Sequence, residues 1–130
     1  MVEDDATTRQ MLVQVLSDDG FETFGAHDGA HALRAASARR PDVIVLDMGL
    51  PVLDGSGFVD QWRKHAGALG VPIVSISGLR HGETMAREVD AAAFFAKPID
   101  LDRFLETVRG LASRHASRER GEEAEKPGPA

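Results

Sequence analysis

Five residues scattered along the sequence could do chemistry together: Glu3, Asp4, Asp47, Ser77 and Lys97. Glu3 and Asp4 follow a first short apolar stretch, Asp47 follows Val43 to Leu46, Ser77 closes Ile73 to Ile76, and Lys97 follows Ala92 to Ala96. If those runs are parallel strands, their C-terminal ends converge at one edge of the sheet, where ligands bind in such folds. Three carboxylates brought together repel one another unless a hard cation sits among them. Oxygen ligands with room for water suit Mg2+. An ammonium and a hydroxyl beside that ion could hold phosphoryl oxygens. The chemistry implied is phosphoryl transfer, with the cation offsetting charge and one carboxylate acting as nucleophile.

Taken singly, each of these residues has a plainer explanation. Asp47 could be a turn or capping aspartate. The acidic start could be a solvated terminus, Ser77 a turn residue, Lys97 a surface charge. Gly55-Ser56-Gly57 invites a phosphate-loop reading but lacks the lysine and spacing of one. The histidines at 27, 31, 65, 81 and 115 show no metal-ligand spacing.

The elements that would position these residues alternate. Residues 7 to 18 carry Met11, Leu12, Val15 and Leu16 at helical spacing, and Gly20 stops that helix. Phe21 to Ala26 reads as a strand. Asp28 caps the next helix, with Ala32, Leu33 and Ala36 on its apolar face. Val43 to Leu46 and Ile73 to Ser77 are strands buried on both faces. A Gly- and Pro-rich loop over 49 to 57 leads into a short helix, Phe58 to Lys64, with Trp62 packed on one side. A weaker helix spans Glu83 to Val89 and a strand Ala92 to Ala96. A strong final helix follows Asp100, with Leu101, Phe104, Leu105, Val108 and Leu111 on one face. Strands alternating with helices predict a parallel sheet covered on both sides.

The 130 residues suit one domain, and 42% hydrophobic content permits a real core. Net charge is −6, so the totals offer no basic patch for nucleic acid. Cysteine is absent, which excludes disulfides and thiolate chemistry. No apolar run approaches membrane-spanning length, and the start Met1-Val2-Glu3-Asp4-Asp5 is acidic where a signal peptide is basic. A cytoplasmic protein is expected. The composition turns polar from Ser113, where four bases balance four acids, so a domain over 1–112 and a disordered tail over 113–130 are expected.

Four segments together resemble the receiver domains of two-component response regulators. Val2-Glu3-Asp4-Asp5 with Arg9 resembles their acidic opening. Val45-Leu46-Asp47-Met48-Gly49-Leu50-Pro51-Val52-Leu53-Asp54-Gly55 resembles the phosphorylation-site segment. Pro72 to Gly78 is similar to the fourth strand with its switch hydroxyl, and Phe94 to Pro98 to the fifth with its Lys-Pro ending. The resemblance runs from Val2 to about Leu111. It implies a doubly wound, flavodoxin-like α/β fold with five parallel strands in the order 2-1-3-4-5. It implies phosphorylation on Asp47 by a sensor histidine kinase or a histidine phosphotransfer protein. Mg2+ would be held by Glu3, Asp4, Asp47 and the Gly49 carbonyl. Lys97 would pair with the phosphoryl group, Ser77 would hydrogen-bond it, and Phe94 would change rotamer with the switch. Pro98 falls where the family has a cis peptide bond. Such a domain catalyses its own phosphorylation and dephosphorylation but acts as a signalling switch.

Three departures bear on that reading. Gly49 and Gly78 are smaller than many family members carry, which opens the phosphoryl site, and Phe94 lacks a tyrosine hydroxyl. A stand-alone receiver that signals through an unidentified effector protein, without direct nucleic-acid or membrane binding, is expected; a receiver cut from a hybrid kinase is the same fold in another setting. A small phosphohydrolase of the haloacid-dehalogenase type is the alternative enzyme, but it needs a second Asp where Gly49 stands. A degenerate receiver that only binds is opposed by the intact set of five residues. Only Met1 and Val2 precede Glu3, so a truncated first strand is also expected, with the true start lying upstream of Met1 or the chain being a fragment.

Overall fold

The computed structural model describes residue 1 and residues 6–26, 28–47, 55–65, 70–78 and 82–119. Its helices are α1 (Ala6–Asp18), α2 (Gly29–Ala38), α3 (Gly55–Trp62), α4 (Gly82–Glu88) and α5 (Leu101–Glu119). Its strands are β1 (Ile44–Asp47), β2 (Ile73–Ser77) and β3 (Ala93–Ala96).

The two uniformly apolar runs form β1 and β2, and every residue in both is buried. Side chains alternate across a strand, so each run feeds two cores. Ile44, Leu46 and Ile73 pack with Ala32, Phe58, Val59, Trp62 and Val89 on the face that α2, α3 and α4 cover. Val45, Val74 and Ile76 pack with Leu12, Leu16, Phe104 and Val108, on the face that α1 and α5 cover. Each large apolar side chain buried this way contributes roughly 1.5–3 kcal/mol. The strands pair in parallel in the order β1-β2-β3, with Asp47 opposite Ile76 and Ser77 opposite Ala96.

Local chemistry sets the element ends. Gly20 ends α1 with φ of 96°, and the Phe21 amide reaches back to the Leu16 carbonyl at 3.1 Å, a closure that glycine alone makes without steric cost. Asp28 caps α2, its side chain accepting from the His31 amide at 2.8 Å.

Three expectations are corrected. Phe21 to Ala26 is not a regular strand; Ala26 alone in it forms a bridge. Its described pairing is a single step: the Met1 amino group donates to the Phe24 carbonyl at 2.8 Å, and the Ala26 amide donates to the Met1 carbonyl at 2.7 Å. That alternation belongs to a parallel pair, but one step does not make a ladder. Three of the five expected strands therefore stand among the described residues, and Val2 to Asp5 lie outside them. A cavity of about 510 Å3 is lined by Met1, Phe21–Ala26 and Pro41–Val45 among others. The helix expected from Phe58 already starts at Gly55, inside the expected loop. Finally, α5 passes the boundary expected at 112 and runs to Glu119, because Ala112 and His115 continue the stripe of Phe104 and Val108 and are buried. Residues 120–130 lie outside the described residues. No helix among the described residues is long and apolar enough to cross a membrane.

Candidate functional site

Three of the sequence-selected residues meet at the C-terminal edge of the sheet. Asp47 is the last residue of β1, Ser77 the last of β2, and Lys97 follows β3 directly. Parallel pairing in register brings those ends level, and the Lys97 amide donates to the Ser77 carbonyl at 2.9 Å. The Lys97 ammonium then reaches across β2, with Nζ 3.0 Å from Asp47 Oδ2. Asp47 and Ser77 are buried, while Lys97 keeps 27% of its side chain exposed. A buried carboxylate is costly without a partner, and the lysine supplies one from the open side.

Ser77 and Phe94 lie on the α4 face of the sheet, where Ser75 stands opposite Phe94 in the register. Phe94 is partly buried, and α4 begins against both side chains. Gly78, next to Ser77, leaves room: a methyl group there would stand 3.7 Å from Lys97 Cδ. The Lys97–Pro98 bond is cis, as the resemblance implies. Glu3, Asp4 and Gly49, the other expected metal ligands, lie outside the described residues. So does Asp54. Among the described residues, no group of three acidic, histidine or cysteine side chains stands ready to hold a metal.

An Asp and a Lys converge at the ends of parallel strands, beside a buried serine, and form one polar site at the edge of the sheet. Residues 1–109 match the response regulator receiver domain family. The chain belongs to that family. This receiver domain is 30% identical to the sporulation initiation phosphotransferase F of Bacillus subtilis, over 84% of the chain and 88% of that protein. It is 35% identical to the transcriptional regulatory protein PrrA of Mycobacterium bovis over 90% of the chain, and spans half of that relative's length. Its fold is similar to the crystal structure of the chemotaxis protein CheY4 of Vibrio cholerae, with a TM-score of 0.77 and 30% identity, covering 85% of this chain and 93% of that one. The match selects the receiver reading over the phosphohydrolase.

Sequence reasoning missed two features of this receiver. Its His115 is buried, with Nδ1 3.0 Å from Asp42 Oδ1, and fastens the end of α5 to the segment before β1. A histidine in a polar stretch gave one signal only: its place seven residues after Val108 and four after Leu111, on the apolar stripe. The closeness of Gly82 to Ser77 had no local signal, because three-dimensional packing alone brings them together.

Proposed function

We propose that Asp47 accepts a phosphoryl group from a phosphohistidine of a sensor kinase or phosphotransfer protein, and that the domain signals through a partner. The observation that carries this reading is the buried Asp47 carboxylate, 3.0 Å from the Lys97 ammonium at the strand ends. In the reaction an Asp47 carboxylate oxygen forms a bond to phosphorus as the bond from phosphorus to the imidazole nitrogen breaks. The leaving imidazole keeps the electron pair. Lys97 turns from the carboxylate to the phosphoryl oxygens, which are better anionic partners once the carboxylate has become an acyl phosphate. The Ser77 hydroxyl donates to another of those oxygens, moving towards Asp47 as it does.

A hard cation fits this donor set: Asp47 supplies a buried carboxylate beside one ammonium, which leaves the incoming phosphoryl charge in need of a further positive group. Mg2+ held by Glu3, Asp4, Asp47 and the Gly49 carbonyl would supply that charge stabilisation. Hydrolysis of the acyl phosphate resets the domain, so it works as a switch in the cytoplasm rather than as an enzyme with an outside substrate.

Intact mass after incubation with Mg2+ and acetyl phosphate tests the assignment. Wild type gains one phosphoryl group and Asp47→Asn gains none. A persistent label of equal stoichiometry on the Asn variant would move the site elsewhere, with Asp54 tested next.

A further inference from the structure

α4 starts on top of Ser77. A methyl group built on Gly82 would stand 2.5 Å from Ser77 Cβ, 2.6 Å from Ser77 Oγ and 3.2 Å from Phe94 Cε1. Favourable carbon contacts lie near 3.5–4.0 Å. No residue with a side chain fits at 82 while Ser77 and Phe94 keep their positions. The backbone does not explain this glycine. Gly82 sits within a helix, and the positive-φ glycines among the described residues are Gly20 and Gly70. Glycine in a helix is less favourable than alanine, although less so at an end. What glycine allows here is close approach: Gly82 is buried, and its Cα lies against the side chains of two residues on neighbouring strands.

We propose that Gly82 is the positioning residue that couples Ser77 to α4, resting on the reading above of Asp47 as phosphoacceptor and Ser77 as the hydroxyl that follows the phosphoryl group. Gly82 lies against both Ser77 and Phe94, so a displacement of either side chain is felt at the start of α4. When the Ser77 side chain is drawn towards Asp47, the support beneath Gly82 is withdrawn. The first turn of α4 and the Phe94 ring then settle into the space. Close-packed interiors pass such a shift on because they hold few voids. Gly78, although adjacent to Ser77, has ordinary clearance and plays no such part.

The coupling is tested with Gly82→Ala, followed by amide and aromatic-ring NMR with and without Mg2+ and acetyl phosphate, and by intact mass on the same samples. In the unphosphorylated variant, the added methyl group pushes Ser77 and Phe94 away. Their resonances, and those of residues 82–88, should move along the direction that phosphorylation takes them in wild type. Adding Ser77→Gly, which removes both atoms nearest the methyl group, should return Phe94 and α4 towards their resting shifts. Silent Ser77 and Phe94 resonances in Gly82→Ala, or no reversal in the double variant, overturn the proposal while wild-type uptake preserves the site assignment. No uptake by wild type overturns the assignment and the proposal together. If Gly82→Ala does not fold, the double variant must; failure of both overturns the steric contact itself.

Discussion

Asp47 and Lys97 divide one task unequally. The carboxylate is fixed, being buried at the end of a fully buried strand, while the ammonium is about a quarter exposed on a flexible stem. A lysine is a compact charge that swings between partners more readily than a forked guanidinium, which suits the proposed exchange of a carboxylate for a phosphoryl oxygen. Ser77 is 1% exposed and lies under Gly82, so any movement of its side chain is felt by α4. Ser77→Ala should therefore leave phosphoryl uptake on Asp47 in place but break the report to the rest of the domain. In NMR spectra of the phosphorylated protein, amide shifts over residues 78–98 should be smaller in the variant than in wild type; equal shifts would mean that another residue reads the site. Asp47, Ser77 and Lys97 were legible in the sequence because each ends an apolar run, and parallel strands level their ends. The packing of Gly82 on Ser77 was not legible, because it depends on where a helix lands.

At the scale of elements, period and punctuation carried most of the reading. α1, α2 and α5 follow the spacing of their apolar residues, and Gly20 and Asp28 mark ends where they were expected. Phe21–Ala26 misled because alternation describes a strand's faces but not its partners, and a strand needs a ladder. The end of α5 misled because polar composition masked an apolar stripe that continues through His115. One tie between elements was invisible to any local rule: Arg109 on α5 forms a two-pronged ion pair with Asp19, just after α1. The Arg109 hydrogen bond holds the Asp19 carboxyl below its ordinary 3.8, and Arg109 is itself raised. A carboxyl with a lowered folded-state pKa adds stability that is fully present above its unfolded pKa and is lost as pH falls through the folded one. The urea-midpoint difference between wild type and Arg109→Met should thus be constant above about pH 5 and fade in more acidic solution. It should also shrink with added salt, since the pair is at the surface. A difference that grew below pH 4 would contradict the assigned sign.

Over the whole molecule, the chemistry and the core are kept apart. The polar edge collects Asp47, Ser77 and Lys97 at the strand ends, while the two apolar clusters fill the faces behind it. Trp62 is the largest fully buried side chain of that interior, 1% exposed on α3 and stacked on His65 with ring centroids 5.8 Å apart. Its indole Nε1 is buried with no hydrogen-bond acceptor among the described residues. A buried donor left unpaired costs about 1–3 kcal/mol. Trp62→Phe removes that cost and leaves only part of the ring's volume empty. The two effects oppose each other, and the net change should lie within about 1 kcal/mol of wild type. Trp62→Ala removes the donor too, but opens a cavity that the surrounding Phe58, Val59 and Val89 cannot fill; it should cost about 3–5 kcal/mol. Against a typical total of about 5–15 kcal/mol, that loss is a large share of the stability. Urea titrations followed by far-ultraviolet circular dichroism separate the two cases, since tryptophan fluorescence is lost in both. Because Trp62 lies behind the polar edge, the phenylalanine variant should also accept one phosphoryl group on the wild-type time course. A phenylalanine variant as unstable as the alanine one would show that the indole N–H has a partner in the folded protein, and that this end of the core is held by a hydrogen bond as well as by packing.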